Sequence, residues 1–468
     1  MSKQQLVTTH YLNYKTANRD NKGDGYDKII LITKDENGVK HKKLCKQPKF
    51  HYYMTKPEFY QEGKYHNYIE RNKVVLRACE YKNLARDMVN NAKSNQKLYN
   101  YEFSESILSN HDFKMVSSYL HSLSYFHSSD MNIQDYYIHN FLNQHNPEDN
   151  FVSLTKAFFD IEVDSSEIKG FPNPELAEAP VNIITLINQE TMQCFVLMLE
   201  YNHEGYKNTV KNLKKIEQKL RKKYESKIVL KDIEFIFEQF DTELNLLERF
   251  FYLINEVLRP DLCVAWNISF DFVTIFNRLL KLLGEDMNED GYHPKLDNII
   301  CPKDFEYKNA SYYIDERHSD PAERSDSYNI TAYTTYYDLM CLYANITKPM
   351  GKKESYSLDS IAEEEVGIKK DEYEGSIKTL HLDDYETFLL YNINDSILLF
   401  LIEEKTKHLD LLYNISMMTH TRLEKSLKKT ICLRNYAAQF YEKNGFVMGN
   451  NHSSIYERPE SKIKGALA

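Results

Sequence analysis

FVSLTKAFFDIEV, residues 151–163, is the stretch on which the fold turns. An apolar run that ends in alternating carboxylates is the pattern of a buried strand whose last residues emerge at a sheet edge. Positions i and i+2 of a strand share a face, so Asp160 and Glu162 point the same way. Two carboxylates on one face of a buried strand repel each other and are costly to desolvate. A divalent cation between them removes that cost, and Mg²⁺ suits the pair because it takes oxygen ligands and keeps several waters. The pattern D-x-E alone is weak. It recurs at Asp232/Glu234, Asp241/Glu243 and Asp384/Glu386, and most such pairs are solvated surface.

Downstream of this strand the pattern alternates. VNIITLIN (181–188) and CFVLMLEY (194–201) read as two more strands, and KNLKKIEQKLRKKYESK (211–227) as a charged helix with a solvated face. KIVLKDIEFIFEQF (227–240) reads as a strand. ELNLLERFFYLINEVLRP (243–260) has helical apolar spacing and stops at a proline. LCVAWNIS (262–269) is again a strand. Strands interleaved with helices imply an α/β sheet domain over roughly 151–400. Upstream, KIILITKDENGVKHKKL (28–44) is two extended runs around Glu36-Asn37-Gly38, a hairpin signal. Residues 1–60 are expected as strands, and 83–145 and 408–447 as mainly helical. NPEDN (146–150) marks a boundary. IDERHSDPAERSDS (314–327) is expected to form a protruding loop or hairpin tip. The class is therefore α/β, or α+β for the whole chain with its mixed N-terminal part.

Composition bounds the function. The 468 residues carry 42% hydrophobic and 27% charged side chains, an ordinary globular balance with a prior of about three domains. With 14 glycines there is neither G-x-x-x-x-G-K nor G-x-G-x-x-G, so both phosphate-cradling loops are absent. No apolar run approaches membrane-spanning length, and MSKQQLVTTHYLNYK lacks an apolar signal core, which points to a cytoplasmic protein. Seven cysteines without C-x-x-C fit reduced thiols, and 16 histidines without H-E-x-x-H argue against a zinc site. The net charge of −10 divides into +10 over residues 1–100, −6 over 101–150, −18 over 151–400 and +4 over 401–468. A basic front is suited to a polyanion, and an acidic middle to cations.

Two further motifs carry chemistry. In AWNISFDF (265–272), Asp271 follows a strand, with Asn267 and Phe270 beside it; Asp271 is also placed to cap the helix DFVTIFNRLLKLL (271–283). In YETFLLYNINDSILLFLIEE (385–404), Tyr391 and Asp395 are i and i+4 on a helix and share a face. That face is otherwise apolar, so Asp395 needs a partner.

The order D-x-E, N-x-x-F-D, Y-x-x-x-D resembles the Exo I, Exo II and Exo III series of the 3′→5′ exonuclease domain of family B DNA polymerases. DIEVDSSEIKGFPNPELAEAPVNIIT (160–185), with its Gly-Phe-Pro turn, is similar to the T-even phage version, and YYDLMCLYANITKPMGKKESYSLDSIAEEEVGIKK (336–370) to the stretch before Exo III. Asp338–Tyr343 (DLMCLY) imitates polymerase motif A but is followed by Ala344-Asn345 and precedes Exo III, so it is rejected; Y-G-D-T-D-S is also missing. ESKIKGALA (460–468) is similar to the segment before the palm core, which places both polymerase motifs beyond Ala468.

The resemblance implies a ribonuclease H-like exonuclease over 151–407, an N-terminal domain over 1–150, a helical return to it over 408–450, and the start of the palm over 451–468. It implies two Mg²⁺ ions, replaceable by Mn²⁺, held by Asp160, Glu162, Asp271 and Asp395, with Tyr391 orienting the attacking water. Asn267, Phe270 and Phe171 are the candidates for DNA contact. The implied task is proofreading in phage DNA replication inside an infected bacterium, acting on single-stranded 3′ ends and primer–template DNA. Implied partners are a second chain carrying palm, fingers and thumb and, through it, a sliding clamp, with no membrane. The alternative is a nucleic-acid-binding or interaction subunit that docks such a polymerase chain.

Overall fold

The computed structural model describes residues 3–17, 24–95, 120–145, 153–284, 293–369 and 375–450. The chain divides into two compact units. One comprises Met1–His10, Leu31–Lys42 and Glu148–Asn414; the other comprises Tyr11–Ile30, Lys43–Pro147 and Ile415–Ala468.

The first unit is built on a six-stranded sheet. Its elements run β1 (Lys156–Val163), β2 (Val181–Asn188), β3 (Gln193–Leu199), α1 (Glu204–Lys211), α2 (Leu213–Lys223), β4 (Glu234–Phe240), α3 (Glu243–Tyr252), β5 (Leu262–Ala265) and α4 (Ile268–Leu283). They continue with α5 (Pro294–Ile300), the hairpin β6 (Ala310–Tyr313) and β7 (Ser327–Ile330), β8 (Thr335–Asp338), α6 (Leu339–Thr347), α7 (Leu358–Val366), α8 (Ile377–Asp383) and α9 (Tyr385–Thr406). The strand order is β4-β3-β2-β1-β5-β8. β2 runs antiparallel to both β1 and β3, whereas β1, β5 and β8 are mutually parallel and β4 is parallel to β3. This is a mixed α/β sheet of the ribonuclease H-like kind. Among the described residues no helix is long and apolar enough to cross a membrane, and the seven cysteines are free thiols.

The alternation of β1 decides what lies on each face. Ala157, Phe159 and Ile161 enter the core shared with Phe250 and Phe251 of α3 and Phe272 of α4. Phe158 points the other way and meets Phe400 of α9 edge-on, with ring centres 5.6 Å apart. Asp160 and Glu162 follow Phe158 in register, which turns them toward α9. The ends of β1, β5 and β8 lie side by side, and in parallel sheets such carboxyl ends are where sites form.

Several elements depart from the sequence expectation for local reasons. KIVL does not join a strand: Ile228–Leu230 forms a 3₁₀ turn with Ile228 exposed, and the strand starts at Glu234. The α3 helix loosens into a π turn over Leu253–Leu258, closed by Arg259 in the left-handed region, one residue before the proline. The strand in LCVAWNIS ends at Ala265, because Asn267 adopts φ 63° and ψ 50° and opens α4. Asp271 therefore lies in the first turn of α4 rather than at its cap. Residues 314–326 do form a hairpin tip between β6 and β7.

Residues 31–42 belong to the same unit through one buried carboxylate. Asp261 accepts from Lys34 Nζ (2.7 Å) and lies 2.8 Å from Lys40 Nζ, and it also takes the backbone N–H of Thr155 (2.9 Å). The turn between Asp35 and Lys40 has Gly38 at φ 77°, a conformation that favours glycine.

In the second unit, Lys49–Thr55 pairs with Val74–Glu80 and with Phe126–His127. Phe446–Met448 returns to pair antiparallel with Tyr68–Glu70. The helices Leu84–Ser94, Ile133–Gln144 and Lys429–Lys443 complete it. The boundary cluster 146–150 and the segment 451–468 lie outside the described residues.

Candidate active site

The first and third motifs meet where β1 faces α9. Thr185 of β2 and Asn392 of α9 make the joint. Thr185 Oγ1 donates to Asn392 Oδ1 (2.6 Å), and Asn392 Nδ2 donates to Asp160 Oδ2 (2.8 Å). One turn on, Ser396 Oγ donates to the Thr185 carbonyl (3.3 Å). Asn392 and Thr185 are fully buried, so this chain fixes both the helix on the sheet and the Asp160 carboxylate. Asp395 is i+3 from Asn392 and shares its face. As a result, carboxylate oxygens of Asp160, Glu162 and Asp395 lie within 4.8 Å of one another.

Asp271 stands beside this group and outside it. It is buried, and its carboxyl is pushed well above the usual carboxylate range, first by burial and next by the charge of Asp160; the N–H of Ile161 pulls the other way. Asp338, at the end of β8, adds to the negative field on Asp271. Its own carboxyl is pushed up to about 6 by burial. Three carboxylates from β1 and α9 therefore lie together, and the charge of Asp160 also reaches Asp271 in the first turn of α4. A set of hard oxygen donors held this close is destabilised by mutual repulsion and fits divalent cations. Tyr391 lies one turn before Asp395, partly buried.

Aromatic rings stand at the start of α4. Phe270 is partly buried against the core, and the exposed Phe171 ring lies 5.1 Å from it at 51°. Asn267 Oδ1 accepts from Ser269 Oγ (2.8 Å) and from Arg324 Nη1 (3.4 Å).

The rival D-x-E pairs have structural partners. Glu243 is buried in a two-pronged pair with Arg278 and also accepts the N–H of Val181. Asp384 caps α9 through Thr387, and Glu386 pairs with Lys219. Glu234 is exposed and takes Gln193 (3.1 Å). Asp338 of DLMCLY caps α6 by accepting the N–H of Cys341 (2.9 Å). It forms a second close group with Asp326 and Cys341, but Arg324 pairs with Asp326 there and supplies a cation.

The sequence reading missed Asn392. Its spacing was the available signal: it is an amide three residues before Asp395, on the same helix face. Arg324 was also missed, and its role depends on contacts that no local pattern encodes.

A sequence profile described as DNA polymerase family B, exonuclease domain, matches residues 96–361. The chain belongs to that family. The match contains Asp160, Glu162, Asn267 and Asp271 and ends before Tyr391 and Asp395. A DNA-directed DNA polymerase of Escherichia phage RB69 is similar at 25% identity over 257 residues, which is 54% of this chain and 26% of the relative. The matched region thus spans about a quarter of that polymerase. Residues 96–361 are thus an exonuclease domain of the family B type, similar to part of a phage polymerase, and exonuclease domains of this family use divalent metals.

Proposed function

We propose that this exonuclease domain removes nucleotides from single-stranded DNA 3′ ends as the proofreading portion of a family B polymerase. The observation that carries this reading is the convergence of Asp160, Glu162 and Asp395 within 4.8 Å, with Asp271 adjoining. We assign 151–407 to the exonuclease and 1–150 with 408–450 to the N-terminal domain.

In this reading Asp160, Glu162, Asp271 and Asp395 hold two Mg²⁺ ions, with Mn²⁺ an acceptable substitute. When bound, the ions supply Lewis acidity at the scissile phosphate and lower the pKa of a coordinated water. Asn392 holds Asp160 in one orientation. Tyr391, a phenol that both donates and accepts, orients the attacking water. Phe171 and Phe270 stack on the terminal bases, a contact that tolerates any sequence. Asn267 lies beside them at the helix start. The basic first 100 residues supply phosphate contacts to the polyanion. A mismatched terminus frays more readily and reaches this site more often, which gives proofreading.

The test is digestion of a 5′-labelled single strand by the 468-residue chain with Mg²⁺. Asp160→Ala with Glu162→Ala abolishes it while the fold remains. Tyr391→Phe slows it by roughly 10²–10⁴-fold. With neither motif A nor Y-G-D-T-D-S in these residues, the chain alone does not extend a primer.

A second reading, docking to a chain that carries palm, fingers and thumb, is favoured by one feature. Leu433, Tyr436 and Phe440 of helix Lys429–Lys443 lie on one face and are 69%, 54% and 60% exposed. Primer extension that appears only on adding such a chain supports it.

A further inference from the structure

The connection between β1 and β2, residues 164–180, is tied down at both ends. Its first half turns on itself: Asp164 Oδ1 accepts the N–H (3.1 Å) and the hydroxyl (2.6 Å) of Ser166, and Ile168 N–H donates to the Ser165 carbonyl (3.1 Å). Helix α8 then grips this half. Lys378 Nζ donates to the carbonyls of Ile168 (2.8 Å) and Gly170 (2.5 Å), and His381 Nε2 lies 3.3 Å from Asp164 Oδ2. Lys378 and His381 are i and i+3 and share one helix face, with Lys378 making the hydrogen bonds to the loop. The second half is gripped by α4. Asn277 donates to the Pro174 carbonyl (3.1 Å), and Arg278 (2.8 Å) and Lys281 (3.1 Å) donate to that of Ala177.

Phe171 stands between these two anchors. It is 80% exposed, yet its ring leans on Phe270, beside Asp271. Gly170, at φ 86° with open space where a side chain would be, supplies the turn that presents it. A lysine ordinarily keeps its ammonium in water and its stem free. Lys378 instead fixes two carbonyls that lie within three residues of an exposed aromatic ring. Exposed loop tips are ordinarily the mobile part of a domain, so a tip held this way is preorganised, which lowers the cost of binding.

We infer that Lys378 is the positioning residue that holds Phe171 against Phe270 as a fixed aromatic platform for the terminal bases of single-stranded DNA. The inference rests on the exonuclease reading of the adjoining carboxylates and extends it to the neighbouring helix.

The test compares Lys378→Met, Lys378→Arg, Phe171→Ala and the double variant Lys378→Met/Phe171→Ala in the full chain, on a 5′-labelled single-stranded oligodeoxynucleotide with Mg²⁺. Losing one stacked base corresponds to roughly 5–150-fold in affinity. Lys378→Met loosens the platform without removing it, so KM rises by about 5–20-fold, within that range, with little change in kcat. Lys378→Arg restores most of the loss, and the double variant is no worse than Phe171→Ala alone. Amide exchange over residues 165–171 quickens in Lys378→Met and stays unchanged in the core strands. Normal hydrolysis by the wild type with an unaltered KM and unaltered exchange in Lys378→Met overturns the clamp alone. Additive losses in the double variant, or a Phe171→Ala chain that behaves as wild type, also overturn it. Failure of the wild type to hydrolyse DNA overturns the exonuclease reading itself, and the exchange measurement still judges whether Lys378 holds the loop.

Discussion

Replacing Asp160 by Asn has opposite effects on stability and on activity. The oxygens of Asp160, Glu162 and Asp395 lie within 4.8 Å of one another. At that separation and an effective dielectric of about 20, each like-charge pair costs about 3.5 kcal/mol. Asp160 takes part in two such pairs and in a further one with Asp271. The full sum is not realised, because a carboxyl can take up a proton at pH 7 for about 4 kcal/mol, and because Asp160 and Glu162 are partly exposed to water. Losing the charged acceptor for Asn392 subtracts about 1 kcal/mol more. The net expectation without metal is a stabilisation of about 1–2 kcal/mol, a Tm rise of roughly 2–8 °C for a unit of this size. Thermal melts in EDTA and across an Mg²⁺ titration measure it. The wild type gains about 2.7 kcal/mol at a hundredfold excess of Mg²⁺ over its Kd, and Asp160→Asn gains little. A variant that melts lower than wild type in EDTA, or that keeps the full Mg²⁺ response, refutes the cation-site reasoning.

Asn392→Ala severs the link from Thr185 to Asp160, takes the acceptor from the buried Thr185 hydroxyl and removes one donor from the partly exposed Asp160 carboxylate. We expect a destabilisation of about 1–3 kcal/mol by denaturant melt and a drop in exonuclease kcat. Asp338 has a folded pKa of about 6, above its ordinary 3.8, so the native state binds more protons than the unfolded state between those values. Stability therefore falls by up to about 3 kcal/mol as pH rises from about 4 through 6, then levels off; Asp338→Asn flattens that fall in a pH series of urea melts. Asp261→Ala leaves Lys34 and Lys40 without their buried counter-ion and destabilises the first unit by about 3–5 kcal/mol, read from chemical denaturation.

The sheet was legible because short continuous apolar runs alternate with helical spacing, and one of them ends in alternating carboxylates. FFDIEV placed Asp160 and Glu162 on one face from strand geometry alone, and Y-x-x-x-D placed Tyr391 and Asp395 on one side of a helix. The start of α4 was less legible. A non-glycine residue in the left-handed region costs free energy that the surroundings must supply, so nothing local indicated that Asn267 would break the strand and open the helix ahead of Asp271. The clamps were least visible. Lys378 to Ile168 and Gly170, Arg324 to Asn267, and Asn392 to Asp160 join positions 57 to 232 residues apart, and their donors are residue types that populate any solvated helix face or loop. Sequence periodicity reports burial and facing, whereas these bonds depend on which elements the fold brings together.

One carboxylate site is expected to hydrolyse DNA from the 3′ end. The most direct measurement follows the 468-residue chain on a 5′-labelled single-stranded oligodeoxynucleotide, with Mg²⁺ and with EDTA, beside the Asp160→Ala/Glu162→Ala variant. The expected result is a ladder shortening one nucleotide at a time from the 3′ end with release of nucleoside monophosphates, dependent on Mg²⁺ and absent in the variant. Digestion by the variant at the wild-type rate, or products that shorten from the 5′ end, would contradict it.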